Sequence, residues 1–195
     1  MPPKRHFPVQ SIEFLSAVQE GYQAIAKIVK AYCRMEKEGF DILPGLLSDF
    51  MLASNYAGIA FGKAGCGAVH AMSYPFGGKY HVAHGEANYV LLSSVLKMYA
   101  QKSCIHNFHD TMEVLAEALG LPFQGDEDVL PVVLRLEELL SVILEKKPMS
   151  ASGTKQEELP DFADSVLKYQ AVIMSHNPVV LSREDVIAIY EDALN

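Results

Sequence analysis

Apolar residues recur at three- and four-residue steps along most of the chain, the period of an amphipathic helix. In the first such stretch Ile12, Leu15, Val18, Tyr22, Ile25, Val29 and Tyr32 share one face, predicting a helix from Ile12 to Met35. Pro44 and Gly45 interrupt, and a second helix is expected from about Leu46 to Phe61. The run AVHAMSY around His70 is helix-like, with Pro75 ending or kinking it and Gly77–Gly78 forming the turn that follows. A further helix opens near Gly85 and continues through VLLSSVLKMY. Residues 108–119 close with Gly120 and then Pro122, and residues 128–146 are stopped by Pro148. MSASGTKQEELP is the most loop-like stretch, after which the helical period resumes to about residue 175. Ser182 followed by Asp185 is a helix start with an acidic first turn, opening the last helix to Leu194. No Asn-Gly or Asp-Gly turn lies between alternating strands. The expected fold is all-α, about seven or eight helices in one domain spanning 1–195.

Composition narrows the setting. Half of the 195 residues are apolar, enough for a sizeable core, yet no run is long and apolar enough to span a membrane. The start, MPPKRHFPVQ, lacks the apolar segment of a secretory signal. Cys33, Cys66 and Cys104 are odd in number and without a CxxC, which fits a reducing cytoplasm and argues against a thiolate zinc site. A net charge of −8 without a basic face argues against nucleic acid and membrane surfaces as partners.

The chemistry concentrates in AFGKAGCGAVHAMSYPFGGKYHVAHGEAN, residues 60–88, which holds six glycines and three histidines. A phosphate-cradling loop needs a strand leading into its glycines, and the preceding MLASNYAGIAF is Ala-rich with helical period. Small residues at Ala53, Ala57, Gly58, Ala60, Gly62 and Gly65 instead suit two helices packing closely. Between His70 and His84 the spacing leaves room for a helix end, a turn and a return, so both imidazoles can converge on one point. Neutral imidazole suits Fe(II), Zn(II), Ni(II) or Co(II). On spacing alone, two separately hydrogen-bonded histidines remain the competing reading.

Gly58 to Met72, followed by Pro75, Gly77 and His84-Gly85-x-x-Asn88, resembles the signature of the iron-containing (group III) alcohol dehydrogenases. SYP in place of AHP, and Tyr80-His81 ahead of the last histidine, are similar to the 4-hydroxybutyrate dehydrogenase branch, as is the ending LSREDVIAIY. The resemblance implies the C-terminal helical domain of a two-domain enzyme whose N-terminal α/β half binds NAD. It implies a metal, usually Fe(II), held by one Asp and three His, with His70 and His84 at the last two histidine positions. The other two ligands come from a D-x-x-x-H helix, which has no counterpart upstream of residue 11, where His6 stands without an Asp partner. Zn(II) or another divalent ion is an alternative occupant.

By the same resemblance Phe61 lines a substrate channel, and Tyr74 replaces a histidine that relays a proton in many relatives. His81 or Lys79 is placed to attract a substrate carboxylate, and Glu86 and Asp49 are the nearest carboxylates available as replacement metal ligands. The implied reaction is the NAD-dependent interconversion of 4-hydroxybutyrate and succinate semialdehyde. The expectation for this chain is the metal-site half of such an enzyme, truncated and inactive alone, with NAD entering only through a separate nucleotide-binding chain. The competing expectation is a non-catalytic remnant that binds metal weakly or self-associates. A homodimer is expected in either case, because an uncovered apolar patch marks an interface.

Overall fold

The computed structural model describes residues 12–102 and 106–195, so His6 and Cys104 lie outside the described residues. Every regular element among the described residues is helical. In chain order they are α1 (Ile12–Glu38), α2 (Leu43–Ala64), α3 (Ala68–Tyr80), α4 (His84–Gln101), α5 (His106–Leu119), α6 (Val129–Ile143), α7 (Leu159–Tyr169), the single turn α8 (Ala171–Met174) and α9 (Arg183–Leu194). The all-α expectation holds.

Most boundaries follow local rules. Gly120, at φ 73°, ends α5 in the left-handed conformation that glycine adopts freely. At the start of α9 the Ser182 hydroxyl accepts from the Asp185 N–H while the Asp185 carboxylate accepts from the Ser182 N–H, a reciprocal cap. Two boundaries move. Pro44 does not interrupt but sits in the first turn of α2, where its missing N–H costs nothing. The loop-like stretch forms two short 3-10 turns, Met149–Ser152 and Gln156–Glu158, and the helix after it breaks at Gln170.

The larger correction is Pro75. It neither ends α3 nor opens a turn at Gly77–Gly78; the helix runs through all three to Tyr80. An interior proline costs roughly 3 kcal/mol, here the bond that the Ala71 carbonyl would have accepted. Met72 and Phe76 are completely buried on the same helix, each contributing about 1.5–3 kcal/mol, so packing outweighs propensity. The buried Tyr190 hydroxyl of α9 also donates to the Met72 carbonyl at 2.7 Å. The helix stops one turn later at His81, a non-glycine residue at φ 56°.

One continuous core joins Met72 and Phe76 of α3, Leu91 and Val95 of α4 and Tyr190 of α9 with residues of α5, α6 and α7. A smaller cluster of Ala31, Met35 and Leu46 ties α1 to α2. The small-residue stripe on α2 is only partly what it was expected to be. Ala60 does approach Gly21 of α1, whose added Cβ would lie 3.3 Å away, but Gly58 and Gly62 face open space.

Candidate metal centre

His70 lies in the first turn of α3 and His84 opens α4, with the left-handed His81 turning the chain between them. His70 Nδ1 and His84 Nε2 stand 3.1 Å apart. Two nitrogens each about 2.1 Å from one ion stand roughly 3.0 Å apart at a right angle and roughly 3.4 Å apart at the tetrahedral angle. The pair therefore fits two ligands of one divalent metal. Burial, and then the neighbouring His84 ring, push the pKa of His70 below the ordinary imidazole value, favouring the neutral form that a metal needs.

The start of α3 is held from outside the helix. Asn177, in the segment between α8 and α9, takes the Ala68 N–H on its Oδ1 at 2.6 Å and the Tyr99 hydroxyl on the same oxygen at 2.7 Å. Beside it His176 Nδ1 lies 3.1 Å from the Cys66 carbonyl. Both contacts explain glycines: a Cβ on Gly65 would lie 2.7 Å from His176 Nδ1, and one on Gly67 2.7 Å from Asn177 Oδ1. Gly65 also ends α2 at φ 75°. These glycines admit a clamp on the backbone just before His70, a role that no local spacing announces.

Around the histidines, the Phe61 ring lies 5.9 Å from His70, and the Tyr74 ring stacks on His84 at 5.8 Å. The structure thus brings together four of the residues singled out by sequence: Phe61, His70, Tyr74 and His84. Asn88, one helical turn beyond His84, joins them with Nδ2 3.1 Å from His84 Nε2. It was part of the motif but had no expected role, although its i+4 spacing from His84 is a visible signal. Lys79 is engaged elsewhere, paired with Glu158 and lying 5.7 Å from the Phe162 ring, so the pairing raises its pKa. His81 is exposed at the end of α3.

Neither proposed replacement carboxylate joins the pair. Asp49 faces Lys27 at 3.7 Å, Glu86 is an exposed first-turn residue of α4, and no three His, Cys, Asp or Glu gather among the described residues. The centre opens onto a groove of about 1350 Å³, lined by Ala17 and Gly21 of α1, His70, Asn88 and Tyr89, and Leu140 of α6. A small organic molecule in the groove can therefore reach the His70 imidazole. No helix among the described residues is long and apolar enough to cross a membrane.

The described residues thus form a helical domain in which two imidazoles converge from the starts of adjacent helices. Residues 11–194 match the Fe-containing alcohol dehydrogenase family, C-terminal part, and the chain belongs to that family. It is 36% identical to 4-hydroxybutyrate dehydrogenase of Clostridium kluyveri, an alignment covering 97% of this chain and 53% of that enzyme. It is 32% identical to long-chain-alcohol dehydrogenase 1 of Geobacillus thermodenitrificans over 74% of this chain and 36% of that enzyme. Among solved structures, a 1,3-propanediol oxidoreductase superposes with a TM-score of 0.71 at 26% identity, over 93% of this chain and 48% of that one. The fold also matches the archaeal Red Sea brine pool alcohol dehydrogenase ADH/D1, with a TM-score of 0.76 at 24% identity, over 93% of this chain and 49% of that one. The chain spans about half the length or less of these relatives.

Proposed function

We propose that residues 1–195 form the metal-site half of an NAD-dependent alcohol dehydrogenase acting on 4-hydroxybutyrate and succinate semialdehyde. The observation that carries this reading is the 3.1 Å approach of His70 Nδ1 to His84 Nε2. The similarity to the Clostridium kluyveri enzyme supports the substrate. The residues fit a divalent metal, Fe(II) or Zn(II), held by His70 and His84 with donors from outside the described residues. Such an ion supplies Lewis acidity that lowers the pKa of a substrate alcohol.

The chain's own groups do the rest. The Phe61 ring, 5.9 Å from His70, offers an apolar surface beside the substrate. Tyr74, stacked on His84, offers a hydroxyl that hydrogen-bonds the substrate oxygen. With Lys79 tied to Glu158, His81 is the freer of the two groups for a substrate carboxylate. NAD, held by a nucleotide-binding half, would supply the hydride acceptor, and on this reading residues 1–195 need that half for turnover. A homodimer in the cytoplasm belongs to the same proposal.

The test is metal content and turnover together. After anaerobic loading with Fe(II) and desalting, the chain retains metal, and His70→Ala and His84→Ala lose it. Adding a nucleotide-binding half then restores NADH formation from 4-hydroxybutyrate. Metal retained equally by both histidine variants would sink the proposal.

A further inference from the structure

We propose that the exposed face of α2 seats a second copy of this chain and forms the two-fold interface of a homodimer; this rests on the dimer of the proposed function and not on its metal. In its 22 residues α2 carries only two charges, Asp49 and Lys63, and Asp49 is turned to Lys27 of α1. Leu46 and Ala53 bury one side of the helix. On another side Leu43 is 37%, Leu47 52% and Met51 74% exposed. These three follow one another at four-residue steps, and the same stripe continues through Ser54, Gly58 and Gly62, all exposed. A Cβ added at either glycine would meet nothing within 4 Å. A contiguous exposed apolar stripe of this kind marks an interface.

The order of side-chain sizes identifies the occupant. Leu43, Leu47 and Met51 occupy the first half of the stripe, and the small residues stand at matching distances beyond the Leu52–Ala53 midpoint. Laid antiparallel on its own image, the helix sets Leu47 over the partner's Gly58, Leu43 beside the partner's Gly62 and Met51 beside the partner's Ser54. Two-fold symmetry makes each of these contacts twice. The glycines let the two backbones approach closely, so the leucines fill recesses instead of colliding. The stripe itself is uncharged, so a chain of net charge −8 meets its copy there without opposing like charges. With side chains of this size presenting roughly 150–250 Å² each in full, Leu43, Leu47 and Met51, with Leu52 and Ile59 along the edge, expose about 400 Å² per copy. Counting the backbone between them, a pair covers about 1,000 Å², the lower bound for a specific interface. The dimer is accordingly weak, with a dissociation constant on the order of tens of micromolar.

Sedimentation velocity of the full chain, from about 1 to about 200 µM, reads the association directly. A monomer–dimer equilibrium is expected. Leu47→Glu, which brings two carboxylates to the interface, and Gly58→Leu, which fills the recess, should each weaken it at least tenfold. Both positions are exposed in the single chain, so both variants are expected to keep wild-type helicity by circular dichroism. Leu130→Glu, at an exposed apolar residue of α6, should leave the equilibrium unchanged. A monomer at every concentration overturns the proposal, as does a dimer that survives both α2 variants. A monomer that binds only an added nucleotide-binding half, and loses it in Leu47→Glu, assigns the face to that half and equally overturns the second copy. If Leu47→Glu does not fold, Gly58→Leu decides. Fe(II) retention measured in the same variants keeps a failure of the interface distinct from a failure of the metal reading, because neither substitution touches His70 or His84.

Discussion

Replacing Asn177 with alanine should destabilise the domain by about 2–4 kcal/mol, although the residue sits in an irregular segment and is only partly buried. Its one oxygen serves two donors, the Ala68 N–H at 2.6 Å and the Tyr99 hydroxyl at 2.7 Å. Ala68 is the first residue of α3 and its capping position is Gly67, which has no side chain to accept that N–H. Losing a helix-start acceptor costs roughly 0.5–2 kcal/mol. Tyr99 is 6% exposed, and burial raises its pKa further than the Ala68 hydrogen bond lowers it, so its neutral hydroxyl needs a protein acceptor. Leaving it unpaired costs about 1–3 kcal/mol more. At roughly 2–4 °C per kcal/mol for a domain of this size, the melting midpoint should fall by about 5–15 °C. Calorimetric melting of Asn177→Ala, Tyr99→Phe and the double variant separates the two donors. Tyr99→Phe should cost less in the Asn177→Ala background, because the hydroxyl has already lost its partner. Additive singles, or an Asn177→Ala midpoint within about 1 °C of wild type, would refute the claim that this oxygen anchors the helix start that carries His70.

Two further outcomes follow from other parts of the structure. Burial pushes the Glu137 carboxyl up, but hydrogen bonds from Lys97 and Ser93 and the charge of Lys146 outweigh it and hold the group at about 2. Its folded pKa lies below the ordinary 4.5, so its contribution is complete above pH 4.5 and fades as pH falls towards 2. With the side chain 28% exposed, screening reduces a ceiling of roughly 3 kcal/mol to about 2, and urea titrations of Glu137→Gln between those pH values should show a correspondingly flatter acid limb. Glycines in residues 58–67 should divide in the same melting assay. Gly58→Ala and Gly62→Ala face open space inside α2 and should each stabilise by about 0.5–1 kcal/mol, whereas Gly65→Ala, at φ 75° and against His176, should destabilise by more than 1 kcal/mol.

What could be read from the chain, and what could not, divides by the range of the interaction. The helices of α1, α5 and α9 are legible because their signals are local: an apolar stripe, a glycine at the end of α5, a Ser182–Asp185 cap. Pro75 misled because the signal that overrides it is distant. Met72 and Phe76 are buried by residues of other helices, and nothing within a few positions of Pro75 reports that burial. The histidine pair was legible as a spacing, yet the turn that joins the two was misplaced. Gly77–Gly78 is the obvious candidate by residue type, but the chain turns at His81, where a histidine adopts the left-handed conformation instead. The clamp on Gly65 and Gly67 lies more than a hundred residues downstream, at His176 and Asn177, and spacing within the glycine stretch cannot disclose it. The same reasoning bears on the metal centre. The two imidazoles of the proposed centre come from neighbouring helices, so everything this stretch of sequence can contribute to it lies within residues 70–84. Any remaining ligand must arrive from farther away, and for that reason the strength of metal binding by residues 1–195 alone measures how much of the centre is local.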